Sequence, residues 1–499
     1  MDRAVEAAPP SPPLRWRTTL GLRWRPIAER ISRVDPGLAI VTVAALLAAV
    51  WFSKSALERW DNFTSTAYDL AILDQLAWNT AHGDWFHSTF ANYMFLGEHM
   101  QPVLVLWAAV YKVFDVGPPF LIISQAVGAA FAAPLLYCAV RRFGLSAALS
   151  VVVSFAYLLN PYLHRAVNYD FHPEVLLVLF VFGSAWAVAA SRYWLAVLLA
   201  LCVIAFKEDT VCVAIALAAL MWWHGGRKPA AITAAIAIVW TVFVIMFLMP
   251  YIRHGVPSEI VSRYGYLAGT KDQADFLPEA LLHPWRVLEH LLAPSQLWTL
   301  FLFAASSAPL AIFRPKLLPF IFPNVAIAVL STHPPQHLLE LQYAVEAVPL
   351  AVLFSALGAK YLAERVRWEV VGVAIAVPAL AGYIGLSPFS PTAKGVPQVS
   401  PEHRAAIMDA VAVIPDGRYI SVSAQSTLAP RVAHRKNIWE FPRNALRANW
   451  VMLDQKGLVS SDSAPDFASV AKQVEATFDL VYDRDGVEVY RNPNPPAHP

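Results

Sequence analysis

The sequence predicts an all-α polytopic membrane protein of about eleven transmembrane helices, closed by a small extracytoplasmic α/β domain at the C-terminus. Three observations carry that fold class. Residues AVILMFWYC make up 57% of the 499-residue chain and Asp, Glu, Lys and Arg only 15%, where a soluble domain carries about 25% charged residues. Apolar runs alternate with short basic clusters, and the runs stop after residue 386. The net charge of +2 leaves no electrostatic footprint for nucleic acid, which is excluded as a partner. Cys138, Cys202 and Cys212 all lie inside apolar runs, so neither a disulfide framework nor thiol catalysis is expected.

Taken in order, residues 1–36 hold seven arginines, scattered prolines and no apolar run, and read as a disordered basic cytoplasmic tail. The first apolar run begins at Leu38 without a small-residue cleavage site, which argues against a removed signal peptide. Residues 37–386 form the membrane domain, with spans expected at 38–53, 118–140, 145–159, 174–190, 193–206, 210–224, 230–249, 297–313, 317–331, 342–358 and 369–386. With the N-terminus inside, the inner loops carry Arg141/Arg142, Arg192, Arg227/Lys228, Arg314/Lys316 and Lys360/Arg365/Arg367, so every one of them is basic. The first outer loop covers 54–117, and within it 102–114 is too short to cross and reads as a helix lying in the outer interface.

Residues 387–499 lose the apolar runs and read as an extracytoplasmic α/β domain. Helical periodicity over 401–413 is followed by RYISVSA, ANWVMLD, a helix near 465–475, DLVYD and GVEVYRN, with a disordered NPNPPAHP end. It has no phosphate loop or metal-ligand cluster, and a lid or docking module is the expected role.

Ionisable residues gather on the outer side of this map: Asp69 and Asp74, Glu98 and His99, then Asp170, His172 and Glu174, then Lys207, Glu208 and Asp209. Charge near a bilayer core is costly, so a set like this marks one shared cavity, whereas any single member alone reads as a solvated loop charge. Lys207-Glu208-Asp209 interrupts the apolar run from Tyr193 to Trp223 with no Gly, Pro or Asn to make a solvated turn. It is either a structural ion pair or an anchor in which Lys207 holds a phosphate. Asp170 and His172, two residues apart, are the candidates for a divalent metal, although two ligands alone are a weak signal. His333 and His337 form a fourth outer cluster, followed by Gln342, Tyr343 and Glu346 at a helix start. No G-x-S-x-G, H-E-x-x-H, Walker loop or G-x-G-x-x-G occurs.

Tyr68-Asp69-Leu70-Ala71-Ile72-Leu73-Asp74-Gln75, Leu96-Gly97-Glu98-His99, Asp170-Phe171-His172-Pro173-Glu174 and Lys207-Glu208-Asp209 together resemble the bacterial membrane-protein family called domain of unknown function 2079, over roughly residues 60–450. That family is similar in layout to the GT-C glycosyltransferases, which use polyprenyl-phosphate sugars at the outer membrane face. In that likeness Asp69 stands at the acidic motif after the first span, Gly83-Asp84-Trp85 at a conserved-type turn, Glu98 to Pro102 at the start of an interfacial helix, and Lys207 at the turn of a short hairpin. Two positions depart from the pattern: Leu70 replaces a second acidic residue, and Glu208 replaces a glycine after the lysine. The first bears on a divalent metal as cofactor, the second on phosphate binding by Lys207.

The resemblance implies an inverting glycosyltransferase in the bacterial plasma membrane, its N-terminus cytoplasmic and C-terminus extracytoplasmic. It would move a sugar from a polyprenyl-phosphate donor to an envelope glycan, lipid or protein, with the lipid bilayer as its surroundings. Asp69 would be the base, Lys207 and His99 would face the phosphate, and Glu98, Asp170, His172, Glu174, Gln342 and Tyr343 would shape the substrate site. The rivals are a transporter or flippase, which the missing internal repeat disfavours, and a non-catalytic envelope scaffold.

Overall fold

The structure is a computed structural model, and it describes residues 35–91, 93–267, 273–457 and 466–496. The expected cytoplasmic tail therefore lies, up to residue 34, outside the described residues. The first helix, Pro36–Asp61, starts where Asp35 accepts a hydrogen bond from the Gly37 amide at 2.9 Å and Pro36 occupies the first turn. Its outward face carries Ile40, Val43, Leu46, Leu47 and Val50, all exposed in the isolated chain. A stripe of this kind is stable only against lipid.

Every run read as a span contains a helix, but the helices differ in reach. Pro36–Asp61, Pro118–Arg142, Arg227–Arg253 and Trp368–Leu386 are long and apolar enough to cross a membrane. Two bent pairs qualify if each is taken as one span: Ala147–Leu158 with Pro161–Asn168, bent by 41°, and Pro284–Leu291 with Pro294–Ser307, bent by 68°. Pro173–Ala189, Tyr193–Val203, Pro315–Val329 and Val348–Ala363 are shorter. The expectation of eleven therefore stands at four to six by helix length. The physical reason is plain at Tyr193–Val203, whose 11 residues rise only about 16 Å at ~1.5 Å per residue, half a hydrocarbon core of ~30 Å. The bend after Leu158 follows from the local sequence, since Asn160 caps the next helix through the amides of Tyr162 and Leu163 and Pro161 fills its first position.

Helices pack through small residues. Ala45, Ala48 and Ala49 of the first helix and Ala126, Ala129, Ala130, Ala132 and Ala133 of Pro118–Arg142 are buried between them, which lets the backbones approach closely. These two helices are antiparallel. At one end Asp35 takes a hydrogen bond from Tyr137 at 2.8 Å and lies 3.7 Å from Arg141. At the other, Arg59 meets Asp170, and Gln125 donates to the carbonyls of Val167 and Asp170. The segment 102–114 is a short turn and the helix Val105–Val113, with Trp107 and Tyr111 buried and Leu106 and Val113 exposed.

After Leu386 the chain builds one five-stranded sheet from β1 (Val422–Ala424), β2 (Ile438–Glu440), β3 (Trp450–Asp454), β4 (Asp479–Arg484) and β5 (Val487–Arg491), in the order β2-β1-β3-β5-β4. β2, β1 and β3 run parallel, with Val422 opposite Ile438 and Trp450, and β5 is antiparallel to both β3 and β4. The β4–β5 hairpin turns at Asp485-Gly486, both at positive φ, the pattern an Asp-Gly turn favours. Helices Pro401–Val413 and Phe467–Thr477 match the expected ones. β2 escapes a sequence reading because three residues carry no period; its pairing with β1 makes it a strand.

The sheet is seated on the segment that follows the first helix. Thr89 caps the β2 edge, accepting from the Ile438 amide at 2.9 Å and donating to its carbonyl. Gln75 donates to the carbonyls of Arg435 and Lys436, Arg418 pairs with Asp84 at 2.6 Å, and Arg431 lies over the Trp60 ring. Apolar burial runs without a break from the helices into Ile407, Val422 and Met452. The chain end expected to be disordered is anchored at its start: the Asn492 amide donates to the Asn449 carbonyl at 2.9 Å, because Asn492 follows β5 directly, and only 497–499 lie outside the described residues.

Candidate functional site

The first cluster forms where the first helix ends. Beyond Thr66 a single π-helical turn, Ala67–Ala71, leads into the helix Ile72–Ala81. Such widened turns recur at functional sites because they displace a side chain from the regular helical position. Leu70 and Ala71 are fully buried, and Asp69 keeps about a fifth of its side chain exposed. Tyr169 donates to Asp69 Oδ2 at 2.7 Å, and His172 Nε2 lies 3.2 Å from Oδ1. Burial pushes the Asp69 carboxyl up, but His172 and Tyr169 outweigh it and hold it below the usual range. Burial pulls His172 down, but Asp69 overrides it and keeps the ring above its ordinary value. Each favours the charged form of the other.

The neighbouring segment is held under backbone strain. Asp170 has φ of 46°, in the left-handed region. Gln125 fixes it from both sides, donating to the Asp170 carbonyl at 2.6 Å and accepting from the His172 amide at 2.9 Å. The Asp170 carboxylate accepts from the Thr66 amide at 3.1 Å and lies 3.7 Å from Arg59. Arg59 also lies over the Tyr169 ring. Burial raises Asp170 in spite of Arg59.

The second cluster lies around Lys207. Its Nζ is 3.0 Å from Asp209 and 3.5 Å from Glu346. Burial pulls the ammonium down, yet Asp209, Glu346, Glu174 and Glu208 raise it well above its ordinary value. A pocket with about 390 Å³ of empty space, part of it open to solvent, is lined here by Glu174, Lys207, Asp209, Asn324, Gln342, Tyr343 and Glu346 among others. Arg263 donates to Tyr343 at 3.3 Å and to Gln336 at 3.0 Å beside it. Gln101 donates to Glu174 at 3.0 Å, tying this pocket to the segment that carries His172.

The predicted site residues thus fall into two adjoining groups, Asp69 with Asp170 and His172, and Lys207 with Glu174, Gln342 and Tyr343. His99 pairs with Glu208 at 3.2 Å, and the Met100 amide donates to the same carboxylate at 2.9 Å. Glu98 does not stand beside Asp69: it accepts from Tyr93 and from Ser258, because the turn Phe95–Gly97 carries it toward them. Asp74 faces no solvent. It is fully buried, with Tyr111 at 2.7 Å and His434 at 3.2 Å both hydrogen-bonded to Oδ1, because the C-terminal region covers its helix face. The pair Asp170 and His172 does not assemble a metal site, since Asp170 is taken up by Thr66 and Arg59 and His172 by Asp69. Among the described residues no group of three His, Cys, Asp or Glu is placed to hold a metal ion.

Sequence reasoning missed Arg59, Gln125, Tyr169 and Arg263. Arg59 had a signal: a basic residue at the end of the first helix expected to be outside, against the positive-inside trend. Gln125, a polar residue inside an apolar run, had a weaker one. Tyr169 had none beyond adjacency to Asp170.

Fold and composition define a helical membrane protein whose polar side chains converge beside the seat of a small sheet. Residues 59–489 match the family described as Predicted membrane protein (DUF2079), and the chain belongs to it. No curated protein matches the chain.

Proposed function

We propose that the protein is an inverting membrane glycosyltransferase, moving a sugar from a polyprenyl-phosphate donor to an envelope acceptor at the outer face of the bacterial plasma membrane. The observation that carries the reading is the state of Asp69: a carboxylate kept ionised by a cationic imidazole and a phenol, yet still open on one side. Such a group can take the proton of an acceptor hydroxyl as its oxygen attacks the anomeric carbon. The bond from that carbon to the phosphate oxygen then breaks, and the lipid phosphate leaves with the electron pair. Arg59 and His99, with 20% and 29% of their side chains exposed, are the cations available to it. Lys207 drops out of that role because two carboxylates already hold it.

An eleven-crossing path, N-terminus inside and C-terminus outside, fits this reading. Its support is that predicted inner residues meet one another, Phe143 against His224 and Arg314 over Tyr361. Predicted outer residues do likewise, Arg165 with Leu339 and Lys207 with Glu346. The short helices then require a locally thinned bilayer. A reporter fused after Pro499 that works only in the cytoplasm, and is found active, would refute the orientation.

The test of the activity is a mass-spectrometric comparison of envelope glycans from cells with and without the protein. A missing sugar restored by the wild-type chain but not by Asp69→Asn supports transfer. An unchanged glycan profile sinks it.

A further inference from the structure

The Lys207 pocket has a chemical bias. Four of the side chains lining it each keep one buried oxygen with no hydrogen-bond partner among the described residues: Glu174 Oε2, Asp209 Oδ1, Asn324 Oδ1 and Gln342 Oε1. Glu174 and Asn324 are only 4% and 5% exposed. In three of them the other half is in use: Gln101 donates to Glu174 Oε1, Lys207 faces Asp209 Oδ2, and Asn324 Nδ2 donates to the Phe320 carbonyl at 2.9 Å. Unsatisfied buried acceptors are costly, so four of them on residues that line one pocket favour a guest that donates hydrogen bonds.

We infer that this pocket binds the hydroxyl-bearing edge of a sugar ring, and not the phosphate to which a lysine at this position would first be assigned. A phosphate at neutral pH is almost purely an acceptor and would meet four unpaired oxygens and an already neutralised ammonium. Sugar hydroxyls donate to carboxylates and carboxamides and accept from Lys207, so they satisfy both. Tyr343, half-buried on the wall, supplies the apolar surface that the C–H face of a ring needs. The enclosed part is small, which admits the edge of a ring and excludes a lipid chain. The inference rests on the glycosyltransferase reading for its choice of sugar, and it places the sugar beside the segment that carries His172.

The test is saturation-transfer NMR on the full-length protein in nanodiscs, with free glucose and galactose as probes and inorganic phosphate and sodium chloride as competitors. Transfer to a hexose is expected, unaffected by either competitor. Gln342→Leu and Glu174→Gln should each weaken it about tenfold, the loss of one good hydrogen bond. Gln342 is half-buried, so its variant keeps the test alive should Glu174→Gln fail to fold. Displacement by phosphate, displacement by sodium ions, no transfer to either hexose, or transfer untouched by both variants would each overturn the inference. The readout needs no turnover: hexose binding without any envelope glycan change keeps this inference and removes the transferase reading.

Discussion

The Asp69 cluster and the Lys207 pocket lie on either side of one short segment, 169–174, and handle buried charge in opposite ways. At Asp69 both carboxylate oxygens have donors; of the neighbouring Asp170, Oδ2 accepts from the Thr66 amide and only Oδ1 is left without a hydrogen bond, 3.7 Å from Arg59. Around Lys207 four oxygens are left over. A carboxylate held by fixed donors keeps its position and starts the reaction ionised, ready to take a proton. A wall of unpaired acceptors is instead incomplete until a ligand arrives. The difference separates where a proton moves from where a molecule is gripped.

The largest expected effect breaks the first half of that contrast. Asp69→Asn keeps the shape and the Tyr169 bond but removes the base and the charge facing His172, and should lower transfer by roughly 10²–10⁴-fold in protein that still folds and inserts. Normal turnover in that variant would end the assignment. Asp74→Asn supplies the comparison inside the same helix. Asp74 is fully buried between Tyr111 and His434, so the substitution should cost about 1–3 kcal/mol, read as a lower denaturation midpoint of the purified protein. A variant as stable as wild type would show that His434 does not clamp the sheet to the loop.

A third test uses pH. Burial lowers His434, but Asp74 overcomes it and raises the ring above its ordinary value. A raised histidine stabilises fully below its unfolded value of ~6.5 and loses that contribution as pH rises through the folded value. The midpoint difference between wild type and His434→Gln should therefore be largest below about pH 6.5 and shrink as the pH rises above it. A difference that grows with pH would contradict the pairing. The smallest effect sharpens the contrast from outside. Arg491 and Asp479 pair at 2.9 Å with about half of each side chain exposed, and Arg491→Gln should change stability by less than ~1 kcal/mol. A loss as large as that of Asp74→Asn would mean that burial does not govern these pairs.

Asp69, Asp170, His172, Glu174 and Lys207 were legible because ionised groups are expensive beside apolar runs and therefore stand out. Their partners were not. Gln125 sits 45 residues before Asp170 inside what reads as a plain span, yet it holds that segment in place. Asp74 and Asp69 look alike in sequence, and the covering by Tyr111 and His434 makes one structural and leaves the other open. The assignment of Lys207 to phosphate rested on its charge, and two carboxylates brought in from its own turn and from residue 346 cancel it.

By itself the sequence determined the membrane class, the helical runs, the basic and acidic sides and the start of the C-terminal α/β region, because hydropathy, charge and period are local and additive properties. Tertiary structure decided helix reach, the existence of β2, the seat of the sheet on the segment after the first helix and which buried charges meet. Those depend on which groups from distant segments share a low-dielectric interior, where a partner a few ångströms away sets the charge state of each group.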